Sequence, residues 1–407
     1  MTYHVAGPDE APTAVDLFAG IGGASFGMQT VGYYVHAGFD LDGVASWAYQ
    51  KQIPDAMGIQ HDCSEPAPEK IEHNVDLVFA GPPCQGFSSA QGEITTDDAR
   101  NSLAFSVIDW VDKLAPKAVV IENVLGLQAL HTPLHTELEA KLASAADGYR
   151  VSTITLDARD YGVPQRRERV FICATRTDLP RVSQWEPPQS HAAKPMKTLT
   201  GERLEGYADA ESAIGDLPPA LPPQQRFVRN SGPNAPVSVD DQKIAPHSLP
   251  EQMHVGEKDE TVWMPPNHIR ADHGVSTRKR MAKMEYGHSG TSVTERRLDP
   301  DQAAPTMTVS NGTPPVHYKG PTPPYPDGVP DTPSTRRLTV REVARLQTFP
   351  DHIAMVGGKT RQFRQVGNAV PPLLAAHVTA HLGNEVIIPV FESSTSSEQT
   401  QSAPASH

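Results

Sequence analysis

Cysteine is scarce in this 407-residue chain: Cys63, Cys84 and Cys173 are the only three, widely scattered. An odd, dispersed set excludes a disulfide framework and gives no zinc-ligand spacing, so free thiols in a reducing compartment are expected. Long apolar runs are missing too, and the N-terminal M-T-Y-H-V-A-G-P-D-E lacks the basic and apolar regions of a leader peptide. A cytoplasmic protein with no membrane partner is the expectation. Positive charge is also short, with 35 Lys and Arg against 48 Asp and Glu and a net charge of -13. That balance argues against a chain that coats nucleic acid indiscriminately, while leaving room for a local basic cleft. With 38% hydrophobic residues the chain can bury a full core, divided into about two domains.

What is present is an alternation. T-A-V-D-L-F-A (13–19), Y-Y-V-H-A-G-F (33–39), V-D-L-V-F-A (75–80), A-V-V-I-E-N-V (118–124), V-S-T-I-T-L (151–156) and R-V-F-I-C-A-T (169–175) read as strands. Helical patterns fall between them near 24–31, 43–51, 101–114 and 134–146. This is the pattern of an α/β, doubly wound, mostly parallel sheet with helices on both faces. From 176 to 330 the texture turns Pro-rich and loses periodicity, as expected of a loop-rich domain inserted into the first. Helices return at 339–346, where Thr339 and Glu342 have capping-box spacing, and at 372–382. The division expected is therefore 12–175, 176–330, a return over 331–390 and a polar, disordered tail over 391–407.

Chemistry-bearing residues collect at one rim of the expected sheet. D-L-F-A-G-I-G-G (16–23) ends the first strand and opens a helix, where glycines let a ligand approach the backbone, although such a run taken alone is more often plain turn geometry. Asp40 ends the second strand, placed to accept both hydroxyls of a ribose, and Asp62 follows a weaker third segment, placed to receive an adenine amine. A-G-P-P-C-Q-G-F-S-S-A (80–90) follows the next strand: two prolines stiffen the approach to Cys84, and a small-residue loop trails it. Glu122 and Asn123 end the strand after that, polar groups that are costly in an apolar strand unless used. Two basic runs, Q-R-R-E-R (165–169) and S-T-R-K-R-M-A-K (276–283), fit either a solvated face or a phosphate contact.

In this order, D-L-F-A-G-I-G-G, G-P-P-C-Q-G-F-S, D-A-R-N-S-L, I-E-N-V, Y-G-V-P-Q-R-R-E-R-V-F, R-R-L-T-V-R-E-V-A-R-L-Q-T-F-P-D and Q-V-G-N-A-V-P-P resemble the motifs of the DNA cytosine-5 methyltransferases. The resemblance covers roughly 13–175 and 300–382 and implies a Rossmann-like S-adenosylmethionine-dependent methyltransferase sheet with an inserted target recognition domain. It implies Cys84 as nucleophile, Glu122 as the acid on the base, Arg169 on the base's carbonyl oxygen and Asn123 as a brace. For S-adenosyl-L-methionine it implies Phe18, Gly20, Ile21, Gly22, Gly23, Asp40, Leu41, Asp62, Cys63, Pro83, Leu103, Asn368 and Val370, with Leu41 standing where a bulkier ring is usual. For duplex DNA the expected contacts are Gln85, Ser88, Arg167, Arg278, Lys279, Arg280 and Lys283. No metal is implied; a monomer, with or without a cognate restriction endonuclease, is expected. A tRNA methyltransferase of the same superfamily and a catalytically silent DNA-binding protein are the alternatives. The long insert and the lack of a C-F-T tripeptide weigh against the first, and the retained Cys84, Glu122 and Arg169 against the second.

Overall fold

The computed structural model describes residues 7–8, 11–69, 71, 75–83, 102–126, 132–198, 200–220, 252–254, 261–263, 265–288, 296–307, 314–321 and 334–387. It divides into two compact units. The first takes residues 1–161, 168–189 and 370–407, and the second takes 162–167 and 190–369.

The first unit is built on a seven-stranded sheet. Its strands are β1 (Thr13–Leu17), β2 (Tyr34–Asp40), β3 (Met57–Gln60), β4 (Leu77–Ala80), β5 (Ala118–Asn123), β6 (Tyr149–Asp157) and β7 (Glu168–Arg176), in the order β3-β2-β1-β4-β5-β7-β6. Pairings are parallel from β3 to β5, while β7 runs antiparallel to both β5 and β6. Strands β1, β4 and β5 are buried along their full length, which is why they read as unbroken apolar runs rather than alternating ones. Helices α1 (Gly23–Thr30), α2 (Gly43–Gln52), α3 (Ser102–Leu114) and α4 (Thr132–Ser144) connect them. Trp110 of α3 anchors the core beneath the rim: its ring lies 4.8 Å from Phe39 and its Nε1 donates to the Cys63 carbonyl at 3.1 Å.

The second unit carries little regular structure. Its pieces are a small sheet of β8 (His191–Ala192), β9 (Met196–Lys197) and β10 (Arg203–Gly206), the hairpin β11 (Gln252–His254) with β12 (Thr261–Trp263), and helices α5 (Ala210–Ile214), α6 (Val275–Ala282), α7 (Val340–Leu346) and α8 (Lys359–Asn368). Buried arginines take over the job that ladders do elsewhere. Arg297 donates to the carbonyls of Met284, Tyr318, Gly320 and Pro321, and Arg341 to those of Pro266, Pro350 and Ile353. Loop carbonyls with no ladder partner are satisfied in this way. The expected capping box is present: Thr339 Oγ1 accepts from the Glu342 amide and Glu342 accepts from the Thr339 amide, while Arg336 grips the same carboxylate through both Nη atoms.

The chain then returns to the first unit with α9 (Pro372–Leu382), which packs against α1. The contact is close because Gly27 has no side chain: a Cβ there would stand 2.3 Å from the Pro372 carbonyl oxygen. Residues 334–369, which the sequence places with the catalytic return, group with the second unit. The motifs within them are packing elements of that unit. Helix α8 has only Phe363 and Val366 as large buried side chains, too sparse a pattern to stand out in sequence. No helix among the described residues is long and apolar enough to cross a membrane. The tail over 391–407 lies outside the described residues.

Candidate active site

At the end of β1 the chain makes a left-handed excursion. Phe18 has φ +58° and Gly20 +56°, and the Ala19 amide returns to the Phe39 carbonyl at 2.9 Å. The glycines of this turn serve different ends. A Cβ on Gly20 would meet nothing within 4 Å, so its bare backbone faces open space. At Gly22 (φ +90°) a Cβ would stand 2.7 Å from Ile53, so that glycine exists for packing against α2. Gly23 and Ile21 are buried. Of the run expected to meet a ligand, Gly20 is the position whose geometry leaves room for one.

Asp40 closes the turn from the neighbouring strand. Its two oxygens accept from the Gly20 amide and the Asp42 amide, both at 2.8 Å, and burial raises its pKa against the pull of those two bonds. Each oxygen retains a second lone pair. Leu41, beside it, is 66% exposed, a large apolar side chain with nothing over it. Asp62 binds the amide and hydroxyl of Ser64, which hold its pKa down, and it lies at the surface. Cys63 is buried with its Sγ 3.8 Å from the Phe39 carbonyl, and burial pushes its thiol up to about 12. Its sulfur belongs to the core. Leu103, the second residue of α3, is half-buried.

Beneath the turn lies a network that the sequence pattern does not announce. Asp16, 2% exposed, accepts from the Ser25 hydroxyl at 2.6 Å and the Ser25 amide at 3.2 Å, and the Ser25 hydroxyl lies 2.7 Å from Tyr49 Oη. Burial pushes the Asp16 carboxyl up to about 7. The available signal is an acid inside the apolar strand T-A-V-D-L. The network ties β1, α1 and α2 together behind Gly20.

The second half of the rim is formed by β4 and β5. The Gly81 amide continues the ladder to the Leu17 carbonyl at 3.1 Å, after which Pro82 is buried and Pro83 exposed. Cys84, Gln85 and Ser88 lie outside the described residues. Glu122 and Asn123 occupy the last two positions of β5, opposite Phe171 and Val170 of β7. Asn123 is 3% exposed and its Oδ1 accepts from the Val124 amide at 2.8 Å, a local brace on the strand end. Arg169 Nε lies 2.9 Å from Glu122 Oε1. That ion pair lacks hydrogen-bond alignment, and among the described residues the buried Oε1 has no hydrogen-bond partner. A Cβ on Gly81 would sit 4.0 Å from both Glu122 Oε2 and Val370 Cγ2. Gly81, Glu122 and Val370 therefore border one spot, directly before Pro83. A buried carboxylate with unspent hydrogen-bonding capacity and a fixed guanidinium beside it can hold a polar, planar group that presents both donor and acceptor.

This rim stands in a chain whose residues 13–384 match the family model described as C-5 cytosine-specific DNA methylase. The chain belongs to that family. It is a DNA cytosine-5 methyltransferase by membership, and its relatives agree. It is 33% identical over 387 residues to the Type II methyltransferase M.DdeI of Desulfomicrobium norvegicum, covering 89% of this chain and 86% of that one. To the Type II methyltransferase M.AgeI of Thalassovita gelatinovora it is 30% identical over 438 residues, covering 88% and 96%. Among solved structures, a prophage-encoded E. coli chain described as a candidate DNA modification methyltransferase superposes with TM-score 0.65 over 92% of this chain and 99% of its own, at 23% identity. That likeness concerns the fold.

The remaining family positions fall apart in an instructive way. Val370 is buried in the first unit, whereas Asn368 is exposed at the end of α8 in the second. Lys279, Arg280 and Lys283 are exposed on and just after α6; Arg278 is half-buried and donates to the His273 carbonyl. Arg167, expected on DNA, is a correction. It is 1% exposed, and its Nη1 and Nη2 donate to the carbonyls of Gly367 at 3.1 Å and Ala369 at 3.0 Å. It staples the Q-V-G-N-A-V segment and has no face to offer a phosphate.

Proposed function

We propose that this enzyme methylates carbon 5 of a cytosine flipped out of a specific duplex DNA sequence, using S-adenosyl-L-methionine and a covalent bond from Cys84. The observation that carries the reading is the buried, hydrogen-bond-free Glu122 oxygen beside Arg169 at the Gly81–Pro83 rim. Glu122 would hold ring nitrogen 3 and the exocyclic amine, Arg169 the carbonyl oxygen at position 2. Both stabilise the electron density that arrives in the ring when the Cys84 thiolate adds to carbon 6. Carbon 5 is then nucleophilic enough to take a methyl group. Loss of its proton with departure of Cys84 from carbon 6 restores the aromatic ring. Pro82 and Pro83 fix the backbone leading to the nucleophile, and Asn123 keeps the end of β5 in place.

The methyl donor suits the other half of the rim. Gly20 leaves space where a side chain would intrude, Asp40 retains lone pairs for ribose hydroxyls, and uncovered Leu41 offers an apolar face to an adenine ring. Asp62 and Cys63 border the adenine edge, Cys63 through its backbone, with Phe18, Pro83, Leu103, Asn368 and Val370 as further contacts by family position. S-Adenosyl-L-methionine supplies an electrophilic methyl on its sulfonium when bound. The second unit serves as the target recognition domain, with Arg278, Lys279, Arg280 and Lys283 toward DNA and Gln85 and Ser88 as further DNA contacts by family position. A cytoplasmic monomer acting as the modification half of a restriction system, or alone, fits these features. Bisulfite sequencing of DNA from a host expressing the protein tests the reading: protected cytosines should recur within one short sequence, and their absence from an expressing host would overturn it.

A further inference from the structure

In an acidic molecule the second unit gathers positive charge in two stretches. Residues 267–283 hold five bases against one acid, Asp272, and residues 334–369 hold seven bases against two acids, in a chain of net charge -13. Part of the second set is committed to the scaffold. Arg336 grips Glu342, Arg341 donates to loop carbonyls, and Arg345 pairs with Asp351 and Asp216. Lys359, whose stem is partly buried, and Arg364 reach the surface from α8, a helix with no acid that buries Phe363, Val366 and Gly367.

His273 links α6 to the segment that leads into α7. Its carbonyl accepts from Arg278, and its Nε2 accepts from the Arg337 amide at 3.4 Å. Burial first, then the charges of Arg337, Lys359 and Arg278, hold its imidazole below the usual range, with Asp272 opposing them. Lys359 is lowered likewise by burial and by Arg336. Three elements thus bring cations within mutual influence around a histidine kept neutral, at a Coulomb cost. Lys359 is also the first residue of α8, where the helix dipole opposes a cation. An anion seated there removes both costs.

We propose that the surface formed by His273, Arg278, Arg337 and Lys359, continued by Arg364 along α8, seats backbone phosphates of DNA, a clamp that reads no bases. The inference rests on the DNA methyltransferase reading above and adds α8 and the approach to α7 to the interface expected from α6 alone. A chain of net charge -13 needs such a patch to approach a polyanion at all.

The test uses the full-length double variant Lys359→Gln/Arg364→Gln and two duplexes, one containing the methylated sequence and one scrambled. Affinity for both should fall by a similar factor, about tenfold, and the plot of log affinity against log salt should become shallower by about 1 to 2, near 0.9 for each phosphate no longer neutralised. KM for DNA should rise while KM for S-adenosyl-L-methionine holds. The charge-preserving variant Lys359→Arg/Arg364→Lys should restore the slope, which a folding defect would not do. An unchanged slope, or a loss confined to the methylated sequence, overturns the proposal. Methyl transfer by the wild type, measured alongside, separates this failure from a failure of the enzymatic reading: an active wild type with an unchanged slope in the variant sinks the clamp alone.

Discussion

Residues of one type do different jobs here according to what they touch. Cys63 and Cys173 are buried thiols pushed up to about 12, protonated at neutral pH, which leaves Cys84, behind its two prolines, as the thiol the proposal makes reactive. Glu122 and Asp40 stand out in sequence because an acid ending an apolar strand is costly unless used, and the structure places both at strand ends of the first unit's sheet. Arg167 misleads, since a guanidinium in a basic run reads as a phosphate contact; its partners are carbonyls some 200 positions away, which no local pattern reports. Asp16 escapes notice for the converse reason: its purpose depends on Ser25 and Tyr49 folding over it. Its carboxyl sits at about 7 in the fold and near 3.8 when exposed, so folding favours the protonated form. The cost of ionising it grows as pH rises from about 4 to 7 and is complete above that. Asp16→Asn should therefore gain stability relative to wild type as pH rises, by about 3 kcal/mol between pH 5 and pH 8 at about 1.4 kcal/mol per pH unit up to 7. Urea unfolding at both pH values checks this, and a pH-independent difference would refute it.

At the scale of elements, periodicity locates strands β1, β2, β4, β5, β6 and β7 and helices α1 to α4, most plainly where a strand such as β1, β4 or β5 is buried along its whole length. It finds α7 through its capping box and α9 through its apolar run. What it misses are elements held by polar contacts. Helix α8 rests on Phe363 and Val366 alone, a stripe too short to stand out, and the second unit's loops are joined by arginine to carbonyl bonds between segments distant in sequence. Arg297 is the strongest case, one guanidinium on four carbonyls. Arg297→Met would keep the apolar stem but leave buried acceptors unpaired, at a cost on the order of 3 kcal/mol. Hydrogen exchange should show the loss around 284–298 and 316–321 while the sheet of the first unit keeps its protection. Equal loss in both units would contradict the assignment of Arg297 to the second unit's scaffold.

For the whole molecule, the sequence sets the expected limits of the inserted domain by texture, where the prolines begin. Packing sets them differently: 162–167 joins the second unit, and that unit runs on to Ala369, one residue before Val370 returns to the rim. Motifs adjacent in sequence, Asn368 and Val370, thus fall in different units. The proposed mechanism makes one chemical demand that can be measured directly, a covalent bond between Cys84 and carbon 6 of the target cytosine. Incubating the enzyme and S-adenosyl-L-methionine with duplex DNA carrying 5-fluorocytosine at the methylated position tests this directly, because fluorine at carbon 5 blocks the final elimination. A denaturant-resistant protein–DNA complex should form with the wild type and be absent with Cys84→Ser. An enzyme that methylates ordinary DNA yet forms no such complex, or a Cys84→Ser variant that still forms one, would contradict the account.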